Sequence, residues 1–127
     1  MKTTLLFFTL SILPATSLAL TPQEMQCGAV SVYHEARGLK PDDWDKVFKV
    51  AINRKKHPKR FGAKSASLCD IVHSRQYETR NLRNTRELAK YKEILNYLNK
   101  GNWKLAGNYL YFSSKRGKMR YRTKFKS

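Results

Sequence analysis

Apolar residues change their spacing once along this chain, and that change restricts the fold more than any other feature of the sequence. Met25, Ala29, Val32, Tyr33 and Ala36 recur every three or four residues, the stripe that an amphipathic helix turns towards a core. Trp44, Val47, Phe48, Ala51 and Ile52 repeat the pattern, and Leu88, Tyr91, Ile94, Leu95 and Leu98 repeat it again. After Tyr109–Leu110–Tyr111–Phe112 the period becomes two. Met119, Tyr121, Thr123 and Phe125 alternate with Arg120, Arg122, Lys124 and Lys126, and residues 113–117 supply a turn. The expectation is a mainly α (α+β) small domain: helices first, then a C-terminal β-hairpin with one strongly cationic face.

The punctuation between these stretches agrees. Thr21-Pro22-Gln23-Glu24 is a capping box with proline at the first helical position. Gly38 stands where a left-handed C-terminal cap is expected. Pro41-Asp42-Asp43 opens the second helix with acidic residues at its positive end, and the pattern stops at His57-Pro58. Residues 55–67 read as a loop. Ser67-Leu68-Cys69-Asp70 is a second capping box, opening a short helical piece through Val72 with His73 beyond it. Asn81 to Thr85 is a polar linker ending in an N-cap. Gly101 closes the third amphipathic helix, and Asn102 to Gly107 is a turn with Trp103 plugging the core.

Residues 1–19 carry Lys2, the apolar run Leu5 to Leu13, Pro14 and the small-residue ending Ser17 to Ala19. This is a secretory signal, cut after Ala19, and its apolar run is short of the roughly twenty residues that span a membrane. An uncleaved weak anchor is the alternative. Residues 20–127 then form one domain, secreted or periplasmic.

The stretch Tyr33 to Gly38, YHEARG, sets a carboxylate in a defined and mostly apolar place. Glu35 falls in the last turn of the first helix, and the chain turns away just after it. Flanked by Tyr33, Ala36 and the negative end of the helix dipole, its pKa should be pushed up, so that it carries a proton near neutral pH as a general acid. The competing reading is a solvated surface carboxylate neutralised by Arg37. His34-Glu35 does not continue into H-E-x-x-H, because Gly38 occupies the position of the second histidine.

YHEARG, then AINRKKHPKRF (Ala51 to Phe61), LCDIVHSRQY (Leu68 to Tyr77) and LYF (Leu110 to Phe112) resemble, in order and spacing, the cell-wall hydrolase family of the SleB type, which includes spore cortex-lytic enzymes. The resemblance covers roughly Gln26 to Phe112. It implies a lysozyme-like domain that cleaves peptidoglycan glycan strands as a lytic transglycosylase, with Glu35 as the catalytic acid. Asn53-Arg54 match the family's Asn-Arg pair, read either as support of the cleft or as capping and surface charge. Gln76-Tyr77 match its Gln-aromatic pair, a wall of the glycan groove offering an amide and a ring face. Tyr111 is the candidate cleft residue of the hairpin, and Arg37 a further substrate-binding candidate. Relatives commonly carry a small hydroxyl residue at the position of Glu78. A second carboxylate there would act as base or nucleophile and make the enzyme a hydrolytic muramidase; the alternative is surface charge paired with Arg75 or Arg80.

Cys27 and Cys69 fall in the first helix and the short helical piece. In an oxidising compartment a bridge between them would close a loop of about forty residues and stabilise by about 4 kcal/mol; the alternative is two buried thiols. With His34, His57 and His73 they show neither finger-like nor zincin spacing, so no metal and no cofactor is expected. The formal net charge is +17, with no Asp or Glu after Glu93, and such a field draws polyanions. Nucleic acid is the generic partner of so basic a domain. A secreted monomer meets peptidoglycan, anionic envelope polymers and lipid headgroups first, so the cationic hairpin is read as a substrate or envelope tether and no specific nucleic acid is expected. Three rivals accompany this reading: an N-acetylmuramoyl-L-alanine amidase, which normally wants zinc; a basic nuclease; and a non-enzymatic cationic envelope binder.

Overall fold

The first helix starts where its sequence dictates. In the computed structural model, which describes residues 19–73, 82 and 84–124, Thr21 caps α1 (Pro22–Ala36). The Thr21 hydroxyl accepts from Glu24 N at 3.0 Å, and the Glu24 carboxylate accepts from Thr21 N at 3.1 Å. α1 ends without the expected glycine cap. Arg37 closes it in right-handed geometry, Gly38 is not among the glycines with positive φ, and the Trp44 indole donates to the Ala36 carbonyl at 2.8 Å. The same carbonyl accepts from Leu39 N at 2.9 Å, so a turn amide and a side chain from the next helix serve this helix end together.

α2 (Pro41–Arg54) runs back across α1. Trp44, Val47, Phe48 and Ala51 are buried as their spacing requires, and Ile52 packs at the margin. The helices meet at Gly28, where a Cβ would lie 2.2 Å from Phe48 Cε1. Phe48 is fully buried, so its ring has no free volume into which to retreat. The loop that follows contains one turn of 3-10 helix, Pro58–Phe61, closed by Gly62 in left-handed geometry; proline at its first position and glycine after its last bound it.

α3 (Leu68–His73) packs on α1 and is tied to it by a disulfide between Cys27 and Cys69, whose Cα atoms are 5.1 Å apart. The second capping box does not form as spaced. Ser67 Oγ accepts from Cys69 N at 3.2 Å, Asp70 accepts from the Ser65 hydroxyl at 2.6 Å, and the first amide of the helix, Leu68 N, donates to Glu24 at 2.8 Å. Ser65 intervenes in the box: its hydroxyl accepts from Ser67 N at 3.1 Å and donates to Asp70, while Glu24 serves the next amide from a distance.

α4 (Thr85–Leu98) is capped by Asn84, one residue before the expected position, in a box with Glu87. Its buried line is Ile94 and Leu98; Leu88, at the outer margin of the stripe, is exposed. Gly101 then turns left-handed into a 3-10 turn, Asn102–Leu105, which seats Trp103 edge-on to Phe48 at 5.0 Å. The hairpin pairs β1 (Tyr111–Lys115) with β2 (Lys118–Arg122), so strand structure extends through Lys115 and the turn is only Arg116-Gly117. Both turn residues have positive φ, the two-residue geometry that suits strand twist. Phe112, Met119 and Tyr121 pack inward, and Tyr121 donates to Asp43 of α2 at 2.6 Å. Phe125 lies outside the described residues, as do residues 1–18.

Two substitutions test this packing. Gly28→Ala should destabilise by about 1–3 kcal/mol through overpacking against Phe48, although alanine is favoured over glycine in a helix by about 1 kcal/mol; a denaturant midpoint reads the sign directly. Glu24→Gln should cost about 1–3 kcal/mol at pH 7. Burial raises the Glu24 pKa, but the hydrogen bonds from Leu68 N, Lys55 and Thr21 N outweigh it and hold it below 4.5. Its stabilisation is therefore present above the unfolded value and lost as pH falls through the depressed folded one, and the variant's deficit should close over that acid range.

Candidate active site

The cleft is built where five segments converge. α1 contributes Ser31 and Glu35, one helical turn apart on the same face; α2 contributes Arg54; the 3-10 turn contributes Arg60 and Phe61; α3 contributes Ile71 and Val72; and β1 contributes Tyr111 and Phe112. The cleft volume is about 500 Å³, within the range of small-molecule sites. A second hollow of about 550 Å³ beside the disulfide is more open, and its acid, Glu24, is already engaged by three donors.

Glu35 is half-buried near the end of α1, and its pKa is raised. Burial is the cause, opposed by the positive charge of Arg54. The apolar surroundings are not those expected from local sequence. Tyr33 and Ala36 are core residues, and the apolar wall of the cleft is made instead by Phe61, Ile71, Val72 and Tyr111. Arg54 is positioned on three sides: Nε donates to the Leu110 carbonyl at 2.8 Å, and the guanidinium lies 4.5 Å from the Phe61 ring centre and 5.7 Å from that of Tyr111. The result is a carboxyl whose pKa is raised by burial, beside a fixed cation able to offset its charge when it ionises.

Other expected site residues fall elsewhere. The Asn53 amide donates to the carbonyls of Gly107 at 3.2 Å and Tyr109 at 2.8 Å, which makes it a brace for the segment entering β1 rather than a lining residue. Arg37 is exposed, donates to the Tyr33 carbonyl and covers the Tyr33 ring at 4.9 Å, outside the cleft lining. Tyr111 lines the cleft and packs on Phe61 at 5.6 Å. Gln76, Tyr77 and Glu78 lie outside the described residues. Ser31, Arg60, Phe61, Ile71 and Val72 were not anticipated. Ser31 was legible from its four-residue spacing to Glu35; the others reach the cleft through loop and helix placement that no local pattern encodes. Among the described residues no cluster of three or more His, Cys, Asp or Glu is placed to hold a metal ion. Compared with known proteins, the chain matches no family model, no curated protein and no solved structure.

Because burial raises the Glu35 pKa, Glu35 favours the fold below its unfolded value near 4.5, and that contribution is lost as pH rises through the raised folded value. Glu35→Gln should accordingly gain roughly 0.5–2 kcal/mol of stability at neutral pH, the usual range for relaxing a functional site. The gain should shrink towards zero below pH 4.5; paired urea titrations at neutral and acid pH measure it.

Proposed function

We propose that this protein is a peptidoglycan-degrading enzyme, a lytic transglycosylase that cleaves the glycosidic bond between N-acetylmuramic acid and N-acetylglucosamine, exported from the cytoplasm by residues 1–19. The observation that carries the reading is Glu35: an acid whose ionisation is disfavoured by burial, in a cleft whose described lining contains no other carboxylate. The resemblance of YHEARG and the three segments after it to SleB-type hydrolases supplies the substrate class. The disulfide is in keeping with an oxidising compartment.

One acid suffices for this reaction. Glu35 donates its proton to the glycosidic oxygen, the bond to C1 of the muramyl residue breaks, and an oxocarbenium-like centre forms. The C6 hydroxyl of the same sugar attacks C1 and gives its proton to the Glu35 carboxylate. The product is a 1,6-anhydro end, and Glu35 returns to its protonated form with no water consumed. The nucleophile belongs to the bound sugar, so proximity lowers much of the barrier. Arg54 offsets the carboxylate charge between the two proton transfers. Phe61 and Tyr111 offer ring faces to the sugars.

Digestion of purified peptidoglycan by residues 20–127, with mass analysis of the fragments, tests this. Anhydro ends should appear with the wild type, and Glu35→Gln should lower their rate by at least ~100-fold, the usual contribution of a general acid. The wild-type rate should fall as pH rises through the raised Glu35 value, since only the protonated form donates. Reducing muramic ends would replace the transglycosylase with a hydrolase and direct attention to Glu78. Free stem peptides would indicate an amidase, and equal envelope damage by wild type and Glu35→Gln a cationic binder.

A further inference from the structure

The strand register sorts the hairpin into two faces. Directly opposed residues of an antiparallel pair share a face, so Phe112, Ser114, Met119 and Tyr121 form one, and Tyr111, Ser113, Lys115, Lys118, Arg120 and Arg122 form the other. The first packs on the body of the domain through Phe112, Met119 and Tyr121. On the second, Lys118, Arg120 and Arg122 are all exposed, Lys115 stands directly opposite Lys118, and Arg122 is opposite Tyr111. Like charges set opposite one another cost stability. The sequence has no carboxylate after Glu93 to relieve them. Tyr111 joins this row to the cleft, where Arg54 and Arg60 extend the positive charge to Glu35.

We infer that this face of the hairpin is a subsite for the acidic peptide branches of the glycan, recognising their carboxylates while the sugar occupies the Glu35 cleft. The inference rests on the glycan-cleavage reading and names a substrate determinant within it. From Tyr111 to Lys115 the strand covers about 14 Å at ~3.4 Å per residue, the reach of an extended branch of about four residues. Arg120 and Arg122 sit about 7 Å apart on one face, the same interval as alternate side chains of an extended peptide. Arginine forks match carboxylates in two-point contacts, and the row begins at the cleft, where a branch on the reacting sugar would emerge.

The test compares turnover of intact glycan with that of glycan stripped of its peptides. Wild type should favour the intact form, and Arg120→Gln with Arg122→Gln should reduce the intact-to-stripped ratio of kcat/KM about tenfold, the size that two exposed ion pairs can reach. Lys92→Gln with Lys100→Gln removes the same charge elsewhere and should leave the ratio within about twofold. An equal fall in both double variants, or a wild type indifferent to the branches, would overturn the subsite. Should wild type cleave neither glycan, the enzymatic reading fails on its own. Polyglutamate binding then decides: weakening of about tenfold in the arginine variant alone upholds the carboxylate row, and equal binding by all three proteins rejects it. Tighter binding of a single-stranded oligonucleotide of equal charge, lost in the arginine variant, would reassign the face to phosphodiesters.

Discussion

The Glu24 carboxylate holds together the parts on which everything else depends. One oxygen caps its own helix at Thr21 N; the other accepts from Lys55 just past α2, at 2.7 Å, and from Leu68 N at the start of α3, at 2.8 Å. Three chain ends therefore share one buried anion, and the disulfide lies one turn further along α1. With Glu24 and Cys27 fixing α3 against α1, Ile71 and Val72 are held opposite Glu35. A charge buried with full hydrogen bonding specifies an arrangement that apolar contact alone would leave free to slide.

Glu24 and Glu35 lie at opposite ends of one helix and have opposite electrostatic fates. Both are desolvated, which by itself disfavours ionisation. Glu24 receives two backbone amides and a lysine ammonium, so its charge is more than repaid. Glu35 stands at the negative end of the helix with Arg54 opposing a larger desolvation, and its proton is held more tightly. The two carboxylates differ in which effect wins: hydrogen bonds at Glu24, burial at Glu35.

The end of α2 does for the hairpin what Glu24 does for α3. Lys49, Asn53 and Arg54 all donate to carbonyls between Gly107 and Leu110, a segment that precedes β1. This bracing brings Tyr111 to the cleft. The Asn-Arg pair was read from sequence as either cleft support or capping and surface charge; in the structure both side chains brace the backbone before β1, and Arg54 also lines the cleft with Glu35. Sequence patterns were least informative at such long-range contacts. Gly38 and the Ser67 box were read by local rules, whereas the indole of Trp44 and the carboxylate of Glu24 satisfied those helix ends from a distance.

The sequence by itself determined the mainly helical architecture with its terminal hairpin, the starts of α1 and α2, the alternation of the two hairpin faces and the position of Glu35 near a helix end. Periodicity and capping are properties of a few consecutive residues, so they survive translation into structure. Only the tertiary structure decided that Cys27 and Cys69 are bridged, that Phe61, Ile71, Val72 and Arg54 surround Glu35, and that Tyr111 joins the cationic face to the cleft. Those relations depend on the close approach of α1 and α2 at Gly28 and on hydrogen bonds between residues distant in sequence, which no short stretch of the chain encodes.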